Sequence, residues 1–204
     1  MTKRIILITG GQRSGKSEKA EELALSLSPN PVYVATAHVW DDEFRERIRR
    51  HQERRGPQWT NIEEELYLSR HDLTGRVAVI DCVTLWLTNW IVGRSALPLG
   101  SSKNASERCC LVGNASERCN AEESETATFG DVAHYLDAAK AEFDRFTAHD
   151  ATYIFVTNEI GLGGTSENAL QRRFTDLQGW MNQYIAARAD EVILMVSGIP
   201  VKIK

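Results

Sequence analysis

The residues with the clearest chemical purpose come early in the chain. Gly10-Gly11-Gln12-Arg13-Ser14-Gly15-Lys16-Ser17 fits the pattern G-x-x-x-x-G-K-[ST] at every fixed position. Glycines let backbone N–H groups crowd around phosphate oxygens, and the positive end of a following helix adds a fixed attraction for the anion. In such a loop Lys16 reaches the β- and γ-phosphates, and Ser17 offers its hydroxyl to Mg²⁺. Asp81 is the second candidate. It closes the apolar run Val77-Ala78-Val79-Ile80, and a carboxylate at a strand's C-terminal end stands where α/β sheets hold their ligands, able to hold or orient the same ion. The third is a set of arginines, Arg45, Arg47, Arg49, Arg50, Arg54 and Arg55, around His51. A solvated basic face is the ordinary reading of such a helix, but a position just past the second strand of a phosphate-binding fold favours contact of some of these guanidinium groups with phosphate. His51 shares a narrow helical arc with Phe44 and Ile48, which by periodicity alone reads as a packed histidine. His38, just after the second strand, is open to either reading, and His71, His134 and His149 have no partner motif.

These groups need a strand, a loop and a helix in that order. Residues 4–9 are a nearly continuous β-branched apolar run, the composition of a strand covered on both faces. Residues 18–27 place Ala20, Leu23, Ala24 and Leu27 on one face of a helix. Further strands are expected at 32–36, 76–81, 152–157, 191–196 and 201–204, with a short extended piece at 58–63. Further helices are expected at 41–54, 85–91, 131–146 and 166–188. Asn158-Glu159-Ile160-Gly161-Leu162-Gly163-Gly164 reads as a glycine-rich loop at the ligand edge. The alternation predicts an α/β P-loop NTPase: a doubly wound, mostly parallel sheet with helices on both faces and the nucleotide at the C-terminal ends of the strands. From about 94 to 130 Ser, Asn, Glu and Gly dominate, and the hexapeptide Asn-Ala-Ser-Glu-Arg-Cys at 104–109 recurs at 114–119. The expectation is one nucleotide-binding domain over 1–204, interrupted there by a polar loop too hydrophilic to bury itself.

With 42% hydrophobic and 25% charged residues over 204 positions, the chain has the composition of an ordinary soluble domain. A net charge of −4 argues against a protein that coats nucleic acid. Nothing approaches the roughly eighteen-residue apolar run of a membrane span, and the start of the chain enters a strand with no export leader, so the cytoplasm is the expected location. The four cysteines suggest no disulfide framework. Cys109, Cys110 and Cys119 lack the paired spacing of a zinc site and read as free surface thiols.

Unaided chemistry stops at a Mg²⁺-dependent phosphotransferase or NTPase. The glycine loop, taken with Tyr33-Val34-Ala35-Thr36-Ala37, Asp41-Asp42-Glu43, Arg47-Ile48 and His51, resembles the bifunctional adenosylcobinamide kinase/adenosylcobinamide-phosphate guanylyltransferase family of cobalamin biosynthesis. Asp81-Cys82-Val83-Thr84-Leu85-Trp86-Leu87-Thr88-Asn89, Thr157-Asn158-Glu159-Ile160-Gly161 and Ser197-Gly198-Ile199-Pro200-Val201-Lys202-Ile203-Lys204 fit it too, so the resemblance is broken only by the loop at 94–130. It implies a RecA-like sheet, a homotrimer and two reactions. ATP or GTP phosphorylates adenosylcobinamide; GTP then guanylylates a histidine, which passes GMP to adenosylcobinamide-phosphate. By its place in the motif His51 is that histidine. Ala35, Thr36, Ala37, Gln52, Glu53, Arg54, Glu63 and Asp81 correspond to GTP-contacting positions, beside the loop from Gly10 to Ser17. The chemistry is compatible, since a neutral imidazole nitrogen can attack the α-phosphorus and the phosphoramidate so formed can give up GMP. Arg50 stands where some relatives carry a second histidine, which leaves His51 as the candidate nucleophile of its helix. A kinase acting on another small alcohol and a regulatory GTPase switch are the alternatives, the second disfavoured by the lack of an Asn-Lys-x-Asp guanine-reading motif.

Overall fold

A computed structural model describes residues 2–38, 46, 49, 55–95 and 129–204. The chain forms β1 (Arg4–Gly10), α1 (Lys16–Leu27), β2 (Val32–Ala35), β3 (Thr60–Glu63), β4 (Val77–Asp81), α2 (Val83–Ser95), α3 (Phe129–Phe146), β5 (Thr152–Val156), α4 (Ala169–Arg188), β6 (Glu191–Val196) and β7 (Ile199–Lys202). Single 3₁₀ turns lie at Leu68–Arg70 and Ile160–Gly163.

The strands make one seven-stranded sheet in the order β3-β2-β4-β5-β1-β6-β7. Every pairing is parallel except β6 with β7. One strand, β5, therefore separates the strand that feeds the glycine loop from the strand that ends in Asp81, in the RecA-like manner expected. Alternate side chains explain the unbroken apolar runs. Ile6 and Ile8 pack with Ala20 and Ala24 of α1 and with Trp59, whereas Ile5 and Leu7 pack toward Trp86, Phe143, Met181 and Ile185 from α2, α3 and α4. Both faces of the sheet are thus covered by helices. Trp86 is wholly buried, and its indole N–H meets the Leu66 carbonyl at 2.9 Å, so the large ring carries no orphaned donor into the core.

Where elements differ from expectation, a cap or an edge is the reason. α1 begins at Lys16 because Gly15, at φ 89°, turns the chain directly into the helix, and no side chain among the described residues caps it. α4 begins at Ala169 because the Asn168 side chain accepts from the Gln171 N–H at 3.1 Å. The last strand starts at Ile199 rather than 201, and Pro200 is tolerated there because β7 lies at the sheet edge. α2 and α3 both reach further toward the polar segment than the apolar pattern indicated, to Ser95 and back to Phe129. The remainder of that insertion, 96–128, with Cys109, Cys110 and Cys119, lies outside the described residues. So does most of the helix expected at 41–54, of which Glu46 and Arg49 are described, both helical and paired at 2.7 Å.

Candidate functional site

The glycine loop takes its shape from two positions that exclude other residues. At Gly10 (φ 150°) a Cβ would fall 2.5 Å from the Met195 carbonyl oxygen and 2.9 Å from the Ser14 hydroxyl, so a side chain would open the turn. Gly15 supplies the left-handed entry to α1. The turn between β6 and β7 braces the loop from outside, where the Gly198 N–H donates to the Ser14 carbonyl at 3.1 Å. Lys16 is only 8% exposed, and its ammonium group donates to the Gly11 carbonyl across the loop. The Ser14 hydroxyl is buried inside the loop without a hydrogen-bond partner among the described residues.

A cleft of about 930 Å³ opens against the loop at the C-terminal edge of the sheet. Residues from Gly11 to Glu18 form one wall; Tyr33, Arg55 and Asp81 belong to a second; Asn158, Glu159 and Leu162, from the segment after β5, belong to a third. Asp81 is held in place by Tyr33, whose hydroxyl donates to its Oδ2 at 2.7 Å. Burial, reinforced by the Asp81 charge, holds the Tyr33 phenol well above its usual range, so it remains a donor. Arg55 stacks on the same ring, its guanidinium carbon 3.5 Å from the centroid, while Trp59 meets that ring edge-on at 5.9 Å. Arg55 is 8% exposed, and its Nε and Nη1 have no hydrogen-bond partner among the described residues. A buried cation with open donors is costly unless an anion completes it, and this one lines the same cleft as the glycine loop. Cys82 also lines the cleft, but burial and then the Asp81 charge push its thiol up to about 12, which rules out a ready thiolate.

The structure gathers Gly11, Gln12, Arg13, Ser14, Gly15, Lys16, Ser17, Ala35, Ala37 and Asp81 around this cleft. Three expected residues stand elsewhere. Gly10 lies behind the loop, its carbonyl accepting from the Glu159 N–H at 3.2 Å. Thr36 is fully buried, and its hydroxyl exchanges two hydrogen bonds of 2.8 Å with the Cys82 backbone, tying the end of β2 to the end of β4. Glu63 pairs in register with Ala35 on edge strand β3 and does not line the cleft. His51, Gln52, Glu53 and Arg54 lie outside the described residues, and the chain re-enters description at Arg55 in the cleft wall. His38 pairs with Glu65 at 2.8 Å, and His71 approaches Glu64 at 3.4 Å.

Sequence reasoning did not single out Tyr33, or Arg55 among the other arginines, or Glu159 within its glycine-rich loop. Tyr33 looks like any inward strand residue, and only the pairing of β2 with β4 sets its hydroxyl against Asp81. Glu159 caps a polar network beneath the loop. Its Oε1 accepts from the Thr9 hydroxyl at 2.6 Å and from the Asn182 amide at 3.1 Å. The Asn182 Oδ1 in turn accepts from Thr157 at 2.7 Å and from Gln178 at 3.0 Å. Among the described residues no group of three or more His, Cys, Asp or Glu could hold a metal. Ser17 and Asp81 bring a hydroxyl and a carboxylate to the lining of the same cleft.

Residues 6–203 match the family described as "Cobinamide kinase / cobinamide phosphate guanyltransferase". The chain is 34% identical to "Bifunctional adenosylcobalamin biosynthesis protein CobU" of Escherichia coli (strain K12), over 98% of this chain and 99% of that protein. It is 35% identical to the protein of the same name from Salmonella typhimurium, over 98% and 99%. It is 33% identical to "Bifunctional adenosylcobalamin biosynthesis protein CobP" of Pseudomonas aeruginosa, over 97% and 96%.

Proposed function

We infer how the cleft works from the premise that this chain belongs to the cobinamide kinase / cobinamide phosphate guanyltransferase family. It is a bifunctional enzyme of cobalamin biosynthesis: it phosphorylates adenosylcobinamide with ATP or GTP, then transfers GMP from GTP to adenosylcobinamide-phosphate, giving adenosylcobinamide-GDP and pyrophosphate. The observation that carries the assignment of residues is the glycine loop with buried Lys16, facing Asp81 and the open donors of Arg55 across one cleft.

In the kinase step the loop N–H groups and Lys16 hold the triphosphate while the acceptor hydroxyl attacks the γ-phosphorus in line. Ser17 and Asp81 would hold Mg²⁺, which when bound neutralises charge on the β- and γ-oxygens. Tyr33 keeps Asp81 aimed by its hydrogen bond. In the second reaction His51 attacks the α-phosphorus of GTP, pyrophosphate leaves, and the phosphate of adenosylcobinamide-phosphate then takes GMP from the imidazole. Ala35, Ala37, Gln52, Glu53 and Arg54 are the further GTP-contacting positions of this reading. Arg55, four residues past His51, offers its guanidinium to the charge that builds on the phosphates. The chain acts as one domain in a homotrimer, and association of subunits is supported by the apolar edge strand, where Ile199 and Val201 are exposed. We place the enzyme in the cytoplasm with its nucleotide substrates; no helix of the described residues is long and apolar enough to cross a membrane.

Incubation with GTP and Mg²⁺ followed by intact-mass measurement tests the assignment. The wild-type protein gains one GMP. His51→Ala gains none and keeps kinase turnover within severalfold, since γ-phosphoryl transfer does not pass through the imidazole. Loss of both activities together with a lowered melting temperature would make His51 a packing residue instead. Lys16→Ala slows phosphorylation by about a hundred- to a thousandfold at unchanged melting temperature, because the lysine serves charge that develops on the ligand; normal turnover would remove the loop from the mechanism.

A further inference from the structure

Glu159 is placed to do more than brace the loop. β5 runs between β1 and β4, so the segment that follows it emerges at the ligand edge between the glycine loop and Asp81. Glu159 lies in that segment and lines the cleft. Its backbone N–H is tied to Gly10, and its Oε1 is gripped by Thr9 and Asn182 at 2.6 and 3.1 Å. Its Oε2 has no hydrogen bond, and no cation pairs with the carboxylate among the described residues. The adjacent Asn158 differs: its side-chain N–H donates to Thr84, and its carbonyl accepts from Asn182. A carboxylate clamped through one oxygen by neutral donors, with the other oxygen open at a phosphate-binding cleft, has the geometry of a fixed proton acceptor.

Resting on the kinase reading above, we propose that Glu159 is the general base of phosphoryl transfer. The acceptor hydroxyl oxygen bonds to the γ-phosphorus while the bond from that phosphorus to the β,γ-bridging oxygen breaks. The electron pair leaves on the nucleoside diphosphate, and the hydroxyl proton passes to Glu159 Oε2. Guanylyl transfer has no such need, because the attacking imidazole nitrogen carries no proton and the phosphate that accepts GMP is already ionised. The two reactions of one cleft therefore differ in their dependence on this side chain.

Glu159→Gln separates this role from bracing, since the amide keeps an oxygen for Thr9 and Asn182 but loses the basicity. Kinase kcat is expected to fall by about 10²- to 10⁴-fold, with the nucleotide KM and the rate of GMP-adduct formation changed at most severalfold. In Glu159→Ala, added formate is expected to restore part of the kinase rate, read as the ratio of rates with and without formate on one sample, so that a reduced folded fraction does not matter. A Gln variant with near-normal kinase turnover, parallel loss of both reactions, or an Ala variant that formate does not rescue would each overturn the proposal. Wild-type phosphorylation of adenosylcobinamide, run alongside, keeps the premise separate: its absence sinks the functional reading, whereas its presence with an active Gln variant sinks only the role of Glu159.

Discussion

Two polar clusters flank the glycine loop, and they differ in how densely their members are bonded to one another. Beneath the loop, Thr9, Thr157, Asn182 and Glu159 are joined through short bonds to one another and to Gln178. Across the cleft, Tyr33 and Asp81 are bonded to each other, but Arg55 is buried on the Tyr33 ring with Nε and Nη1 open. The first cluster is cross-linked by its mutual bonds even though the Gln178 Oε1 finds no partner among the described residues, and such cross-links stiffen a frame; the Arg55 donors find none among the described residues and border the open cleft. The same fold edge thus carries a part tied together by its own bonds and a part whose donors are left open beside the cleft.

That contrast is broken most directly at Arg55. Arg55→Ala should weaken nucleotide binding by about 10- to 100-fold, the value of charge-assisted bonds to phosphate, as measured by titration calorimetry. Its nucleotide-free stability should move little: the lost stacking on Tyr33, about 0.5–2 kcal/mol, is opposed by removal of open buried donors that cost about 1–3 kcal/mol. A large fall in stability at unchanged affinity would make Arg55 part of the frame. Asn182→Ala should do the reverse. It leaves Thr157 and Gln178 without their shared acceptor and Glu159 without a donor, so urea denaturation without nucleotide should show a loss of about 2 kcal/mol, with affinity near wild type. If affinity fell while stability held, the two clusters would not be separable in this way.

The smallest effect belongs to a cluster away from the cleft. Glu64 is half-buried, and burial by itself would raise its carboxyl, but the Leu66 and Tyr67 N–H groups at 3.0 and 2.9 Å, with His71 near by, hold it below its usual value of 4.5. A depressed carboxyl contributes stability above the unfolded value and loses it as pH falls through the folded one. Wild-type stability should therefore decline through this acidic window more steeply than that of Glu64→Gln. The difference should stay under about 1 kcal/mol because water screens a group near the surface, and nucleotide affinity should be the same in both. Parallel pH curves would remove Glu64 from the acid dependence.

The sequence alone determined whatever is local. The loop from Gly10 to Ser17 is recognisable because its glycines, Lys16 and Ser17 act at fixed spacing along one turn of chain, and the strands at 4–9, 76–81, 152–157 and 191–196 declare themselves because residues covered on both faces must be apolar throughout. Asp81 was legible because strand and carboxylate are contiguous. Element ends moved by a few residues where a cap decided them, as Gly15 did for α1 and Asn168 for α4. Tertiary structure alone decided the two polar clusters. Tyr33 meets Asp81 across 48 positions of sequence, Thr9 meets Glu159 across 150, and Asn182 reaches Glu159 from a helix whose apolar pattern gives no hint of it. Such pairs exist only once parallel strands are in register, because register sets which side chains share an edge and burial then fixes which polar atoms must be satisfied.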